Sequence, residues 1–329
     1  MAKENETEEP GLLLHHWDAD GMSSAAILLR CLEGTYETFT PTIGNYLLNE
    51  EDKEEIRKLD PDHTIVADMA LPKDSIEFLK GFGGVHIFDH HIQERHDVEM
   101  HHNPIISGKT PKEYPSCSWV VTEYLELEPD ILTILGAFGD RETKLKENER
   151  AMNVIQPLMD SFKVGFDDML RCVHMMDTLH KLGDRKSIRE FPWFLMDVTH
   201  PNEILSRKDL KENLEKLEET IERLSKRELT RSKENLYRLR LKTPYNIIST
   251  VTRKISWSRS DDDIVMVTNP SFHPGETQVY IRGAIPNSKE IIEYVRNKGH
   301  SAGGKEDVVG MVIPTEQEDE ILDEVIKKL

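Results

Sequence analysis

Cysteine is scarce. The 329-residue sequence holds three, Cys31, Cys117 and Cys172, an odd number with no Cys-x-x-Cys spacing. That excludes a disulfide scaffold and a cysteine zinc site, and it fits a reducing compartment. Long apolar runs are missing too, and no stretch approaches the roughly 20 residues that span a bilayer. Residues 1–10 are acidic and lack an apolar signal core. They read as a disordered tail, with the cytoplasm as the expected compartment. Net positive charge is also absent: the formal charge is −19. This argues against extensive wrapping of duplex nucleic acid on a basic surface. It leaves room for a narrow acidic groove whose sign bound cations reverse. There is no internal repeat and no low-complexity tract.

What is present is a globular composition, 37% hydrophobic and 31% charged, long enough for one large domain or two ordinary ones. Short apolar runs at 12–16, 37–42, 64–67, 85–88 and 132–138 read as strands. Helical patterns at 23–32, 50–59, 74–80 and 116–125 lie between them. Strands alternating with helices predict an α/β N-terminal domain, 11–195, with a parallel doubly wound sheet. Residues 147–184 read as wholly helical. A helical connecting segment is expected over 196–242, as a helix pair or a coiled-coil arm. Its end, from Arg223 to Lys242, carries eight basic residues. That run suits either a solvated helix face or a contact to a nucleic-acid backbone. Residues 243–329 predict a smaller mixed α/β C-terminal domain, with strands at 245–251, 264–268, 278–281 and 308–313 and helices at 288–297 and 316–328.

The predicted strands of the first domain end in metal-ligand chemistry. The first runs into His16-Trp17-Asp18-Ala19-Asp20-Gly21, the third ends at Asp68, the fourth in Asp89-His90-His91, and a later apolar run in Gly139-Asp140. In an open parallel sheet, ligands bind beyond the carboxyl ends of the strands. A single Asp there is often a helix cap, and a His pair can be a surface pair. Four such ends together point to one convergent site. In extended chain His16, Asp18 and Asp20 face one side, roughly 6.6 Å apart in succession. Two divalent ions about 3.5–4 Å apart fit such a set if a further carboxylate, for which Asp68 is the candidate, bridges them. His15, His101 and His102 fit no ligand spacing and read as structural.

The His-x-Asp-x-Asp-Gly run, Asp68, Asp89-His90-His91 and Gly139-Asp140 together resemble the DHH phosphoesterases. Near the end of the chain, Gly299-His300-Ser301-Ala302-Gly303-Gly304 resembles the glycine-rich motif of the DHH-associated domain, and Arg282 falls where that domain carries a phosphate-contacting arginine. The resemblance implies two manganese ions, with magnesium or cobalt as substitutes. One would be held by His16, Asp18 and Asp68, the other by Asp20, Asp68, His90 and Asp140. It implies that Asp89 orients a ligand histidine through its ring nitrogen and that His91 touches the scissile phosphate. Arg282, His300 and backbone N–H groups of a Gly299–Gly304 loop, with Gly299, Ser301, Gly303 and Gly304, would hold the substrate phosphate or terminus. Asn297, Lys298 and Lys305 stand where relatives carry glycines, which puts the shape of that second pocket in question.

Within the superfamily, the short spacing of the first motif is similar to RecJ-type exonucleases, and the size to compact archaeal RecJ-like proteins. This implies an exonuclease on single-stranded DNA or RNA, digestion 3′→5′, a homo-oligomer such as a trimer, and a repair or replication helicase as partner. Two other readings compete. An oligoribonuclease or cyclic-dinucleotide phosphodiesterase would use the same metal chemistry. A non-catalytic replication or repair scaffold would have lost ligands, whereas here every expected ligand is present.

Overall fold

The computed structural model describes residues 10–329, so the expected tail at 1–10 lies, but for Pro10, outside the described residues. The chain forms two compact units. One comprises the chain to His180 with Asp184–Glu212, the other Lys181–Gly183 with Asn213–Leu329.

The first unit is built on β1 (Gly11–His15), β2 (Tyr36–Phe39), β3 (His63–Ala67), β4 (Gly84–Phe88) and β5 (Met100–His102). They form one sheet in the order β2-β1-β3-β4-β5, and every pair is parallel. β1 reads Gly-Leu-Leu-Leu-His without alternation and is buried along its whole length, as a central strand covered on both faces must be. The chain leaves β1 through α1 (Ala19–Cys31) to β2 on one side. It then returns through α2 (Glu50–Leu59) to β3 on the other. That reversal opens a crevice between the carboxyl ends of β1 and β3, where sheets of this order bind ligands.

The helices of this unit continue with α3 (Lys73–Lys80), α4 (Cys117–Tyr124), α5 (Ile131–Arg141), α6 (Glu149–Phe162), α7 (Phe166–Met176), α8 (Thr178–Leu182), α9 (Arg185–Leu195) and α10 (Pro201–Leu205). The expected strand at 132–138 is the body of α5. The capping signal was present, since Asp130 accepts from the backbone N–H of Leu132 and Thr133. Every residue from Ile131 to Phe138 is buried, and an apolar run buried on all sides carries no periodicity to separate helix from strand. α5 packs beside α1, whose first turns are small: Ala19, Gly21, Ser23, Ser24, Ala25 and Ala26. Small residues let two helices approach closely. The short edge strand β5 was not expected.

α11 (Lys208–Ser225) is one amphipathic helix, not the expected pair or arm. The second unit then carries β6 (Thr230–Arg231), β7 (Leu236–Arg240), α12 (Ile248–Ser256), β8 (Ile264–Asn269), β9 (Glu276–Gly283), α13 (Ser288–Asn297), β10 (Ser301–Lys305), β11 (Val308–Pro314) and α14 (Glu318–Lys328). Its six-stranded sheet has the order β10-β11-β9-β8-β7-β6. β7 and β8 are parallel and the other pairs antiparallel. Alternation divides the two faces. Val279, Ile281, Val309, Met311 and Ile313 meet α13 and α14 on one side, while Leu239, Val265 and Val267 meet α12 on the other.

Three expectations fail in this unit. Residues 230–240 are strands of the sheet, so part of the expected connector belongs to it. Leu236 and Leu239 are three apart because β7 is buried on both faces, a spacing that imitates a helix. The expected strand at 245–251 gives way to α12, with Ile248, Val251, Thr252 and Ile255 buried at helical spacing. The glycine-rich stretch from Ser301 is not a loop but β10. Among the described residues no helix is long and apolar enough to cross a membrane.

Candidate metal centre

Six candidate ligands converge at the carboxyl edge of the first sheet. His16 follows β1, Asp68 follows β3, and His90 lies two residues beyond β4. Asp18 caps α1 and Asp20 sits in its first turn. Asp140 lies in the last turn of α5, so it reaches the site from a helix and not from the strand end expected.

Asp68 stands between two groups. Its Oδ2 is 3.7 Å from His16 Nδ1, which is 2.7 Å from Asp18 Oδ2. Its Oδ1 is 3.4 Å from His90 Nε2, which lies 2.9 Å from Asp140 Oδ2 and 3.8 Å from Asp20 Oδ2. Within each of the sets His16, Asp18, Asp68 and Asp20, His90, Asp140 the ligand atoms lie within 4.8 Å of one another. Asp68 is 1% exposed and its backbone takes a φ of 64°. Such left-handed backbone is uncommon outside glycine, though Asp and Asn tolerate it, and it clusters at functional sites.

The donor set fits divalent cations. Both ring nitrogens of His16 and of His90, and Oδ1 of Asp68, are buried without an aligned hydrogen-bond partner. Buried polar atoms are normally paired, and an orphaned cluster of this kind asks for an ion. Charge makes the same demand. Burial, then the nearby Asp140 carboxylate, push Asp20 up to about 6. Burial and repulsion from Asp20 hold Asp68 well above the ordinary carboxylate range. For His90 burial works the other way, but the Asp140 and Asp68 carboxylates outweigh it and hold the imidazole well above its ordinary value. Burial likewise opposes ionisation of Asp18, and the adjacent His16 overrides it and lowers the group. Carboxylates suit magnesium and manganese and imidazoles suit ions such as zinc and iron, so the mixed set fits a divalent cation without selecting one.

Asp20 is anchored from outside the cluster. Its Oδ2 accepts the Cys117 backbone N–H at 2.6 Å and its Oδ1 that of Ser118 at 2.9 Å, both at the amino end of α4. Gly136 on α5 leaves the room: a Cβ there would sit 2.2 Å from Asp20 Oδ1 and 2.1 Å from Ser118 Oγ. Gly21 is confined as tightly, since its Cβ would come within 2.4 Å of the His16 carbonyl oxygen. Asp177, just past α7, accepts the Ala19 N–H at 3.2 Å and so holds the start of α1. His180 Nε2 lies 3.9 Å from Asp177 Oδ2. Neither Asp177 nor the α4 amino end was singled out from the sequence, where nothing marks a lone Asp in a helical stretch or a backbone donor.

Asp89 is fully buried, and His91 Nδ1 lies 2.7 Å from its Oδ1. The histidine it contacts is therefore His91 and not one of the expected ligand histidines, His16 or His90. Burial opposes ionisation of Asp89, and the contact with His91 outweighs it and keeps the carboxyl low. His91 is 47% exposed and 3.9 Å from Asp68 Oδ1, at the open side of the cluster. His15 is fully buried, touches the His16 carbonyl, and is driven down to about 4 by burial.

The remaining candidates lie in the second unit, on or beside β9 and β10. Arg282 shares a row with Val308 and Lys305, whereas Ser301 shares one with Val312 and Gln278. Four residues separate the rows, about 13 Å along the strand. Arg282 pairs with Asp307 at 3.3 Å, and His300 Nε2 is 3.2 Å from Gln317 Oε1. Gly303 and Gly304 lie in β10, and Gly299 precedes it with a φ of 84°. Part of the basic run is engaged within its own unit. Arg231 donates to the Glu234 carbonyl, Lys233 to that of Ile326, and Arg240 pairs with Glu318.

No family model and no curated protein matches the sequence. Solved structures do match the fold. RecJ from Thermus thermophilus, in complex with Mn2+, is 15% identical with a TM-score of 0.64, over 96% of this chain and 51% of its own. This chain thus spans about half of that protein. An exonuclease RecJ bound to manganese gives 16% identity and a TM-score of 0.64, over 96% of this chain and 89% of its own. A pGpG-specific phosphodiesterase from Vibrio cholerae gives 16% and 0.52, over 97% and 98%. The fold is the RecJ-like fold of DHH-domain proteins.

Proposed function

We propose that this RecJ-like DHH fold is a two-metal phosphodiesterase that removes nucleotides from single-stranded DNA or RNA, with manganese as its ion. One observation carries the reading: the two oxygens of buried Asp68 face two separate ligand groups, His16 with Asp18 and His90 with Asp20 and Asp140. Two divalent cations there would balance the four carboxylates Asp18, Asp20, Asp68 and Asp140. When bound, such ions acidify water and draw charge from a scissile phosphate.

The chain's own residues supply the rest. Asp89 fixes His91 through Nδ1, so Nε2 is the nitrogen turned to a substrate. There it would donate to a non-bridging phosphate oxygen or hand a proton to the leaving alkoxide. Asp20, gripped by two backbone N–H groups, cannot swing to follow a substrate, which keeps its ligand oxygen preorganised. The full ligand set speaks against a non-catalytic scaffold.

A second reading, cleavage of dinucleotides only, draws on the likeness to the pGpG-specific phosphodiesterase along nearly the whole of both chains. Incubation with manganese of 20-mer DNA and RNA labelled at either end, and of a dinucleotide, separates the two. Mononucleotides released from the strands, with the 5′ label retained on shortening products, are expected for 3′→5′ digestion. Cleavage of the dinucleotide alone would replace the first reading with the second, and no cleavage of any would refute both.

A further inference from the structure

We propose that Tyr46 stacks on a nucleobase of the substrate, so that the metal centre's rim selects nucleotides over inorganic or sugar phosphates. The inference rests on the phosphodiesterase reading and names what that site recognises beyond the phosphate.

Tyr46 is 61% exposed beside a buried metal centre. Its ring stacks toward that of His16, 5.9 Å between centroids, and is braced by Trp17 at 5.3 Å. Trp17 itself is 4% exposed, so it forms a fixed floor. The loop that presents Tyr46 is pinned at both ends. Ile43 and Leu48 are buried, and the Leu48 N–H donates to Ser75 Oγ at 3.0 Å. Thr42 donates to Asp52, which closes a capping box with Asn49. A largely exposed aromatic ring is thus presented by a preorganised loop next to a candidate ligand. Leu47 is also exposed, and Ile92, the residue after His91, is 88% exposed.

An apolar rim gives nothing to inorganic diphosphate, which has no flat face and stays hydrated. A nucleobase offers a face to any aromatic, so such stacking adds affinity without reading sequence. That suits an enzyme that takes successive nucleotides from a strand.

The test compares wild type, Tyr46→Ala and Tyr46→Phe on a single strand with manganese, and on the same strand with abasic residues at the end being cut. Direct binding of AMP is followed in parallel by tryptophan fluorescence. Tyr46→Ala should raise KM roughly tenfold and weaken AMP by a similar factor, with kcat within about twofold and manganese affinity unchanged. Tyr46→Phe, which keeps the ring, should keep the wild-type abasic penalty. The abasic strand should cost wild type the same factor and Tyr46→Ala nothing further. Equal KM and AMP affinity in wild type and Tyr46→Ala, or an abasic penalty undiminished in Tyr46→Ala, would overturn the proposal. A wild-type protein that cleaves no strand refutes the phosphodiesterase reading instead, and the AMP measurement still decides the stacking.

Discussion

Adding one methyl group at Gly136 should disable the second ligand group without replacing any candidate ligand. The new Cβ would lie 2.2 Å from Asp20 Oδ1 and 2.1 Å from Ser118 Oγ. Non-bonded heavy atoms settle at about 3.5 Å, so something must move by about 1 Å. The Ser118 hydroxyl can rotate, although it would leave Ser116 Oγ at 2.9 Å and the Thr133 carbonyl at 3.1 Å. The Asp20 carboxylate has no such freedom, because the Cys117 and Ser118 N–H groups hold it. Overpacking of this kind costs about 1–3 kcal/mol, which at this size lowers the melting temperature by roughly 2–10 °C. The effect on function should be larger. Displacing a positioned group by about 1 Å costs on the order of a hundredfold in rate, and disturbing what orients a metal ligand costs about 10–100-fold in affinity. Gly136→Ala should therefore keep one tight manganese equivalent, lose the second by at least tenfold in calorimetric titration, and turn over about a hundredfold more slowly. A folded variant that binds two equivalents with native affinity and cleaves at the native rate would refute the packing argument.

Further consequences can be measured separately. Asp68→Asn, which suits the left-handed backbone, should abolish both tight manganese equivalents. Asp140→Asn should spare the group formed by His16, Asp18 and Asp68, and equilibrium dialysis counts the difference. Cations must displace protons from Asp20, Asp68 and His90, all raised in the protein alone. Protons compete more strongly as pH falls, so manganese affinity should drop at least tenfold from pH 7.5 to 5.5; a flat titration series would contradict this. Asp177→Ala should weaken the first equivalent roughly tenfold by loosening the start of α1, with Asn restoring most of it through its carbonyl oxygen. Arg240→Ala would leave the nearly buried Glu318 carboxylate with only the Thr277 hydroxyl. Because Arg240 is half exposed and solvent screens the pair, the loss in chemical denaturation should be about 1–2 kcal/mol.

The parallel sheet and the place of the candidate ligands at its edge were legible because they depend on local order. An apolar run followed at once by His16, by Asp68 or by Asp89-His90-His91 states where the strand stops and what stands there. Asp140 was singled out for its chemistry and placed on the wrong element, since burial of 131–138 on every side erases the helical period. The same loss affected β7, whose two buried faces imitate a helix. What anchors the site was not legible at all. The N–H groups of Cys117 and Ser118, the missing side chain of Gly136 and the reach of Asp177 to Ala19 are relations across as many as 158 residues of sequence. Nor did the sequence show that Arg282 shares a row with Lys305 while Ser301, the residue after His300, lies four residues further along β11.

Diffraction from crystals grown with manganese, recorded at the manganese edge, tests the central claim most directly. Two anomalous peaks about 3.5–4 Å apart should appear with the Asp68 carboxylate between them, one beside His16 and Asp18 and the other beside Asp20, His90 and Asp140. A single peak, or ions bound away from Asp68, would contradict the account.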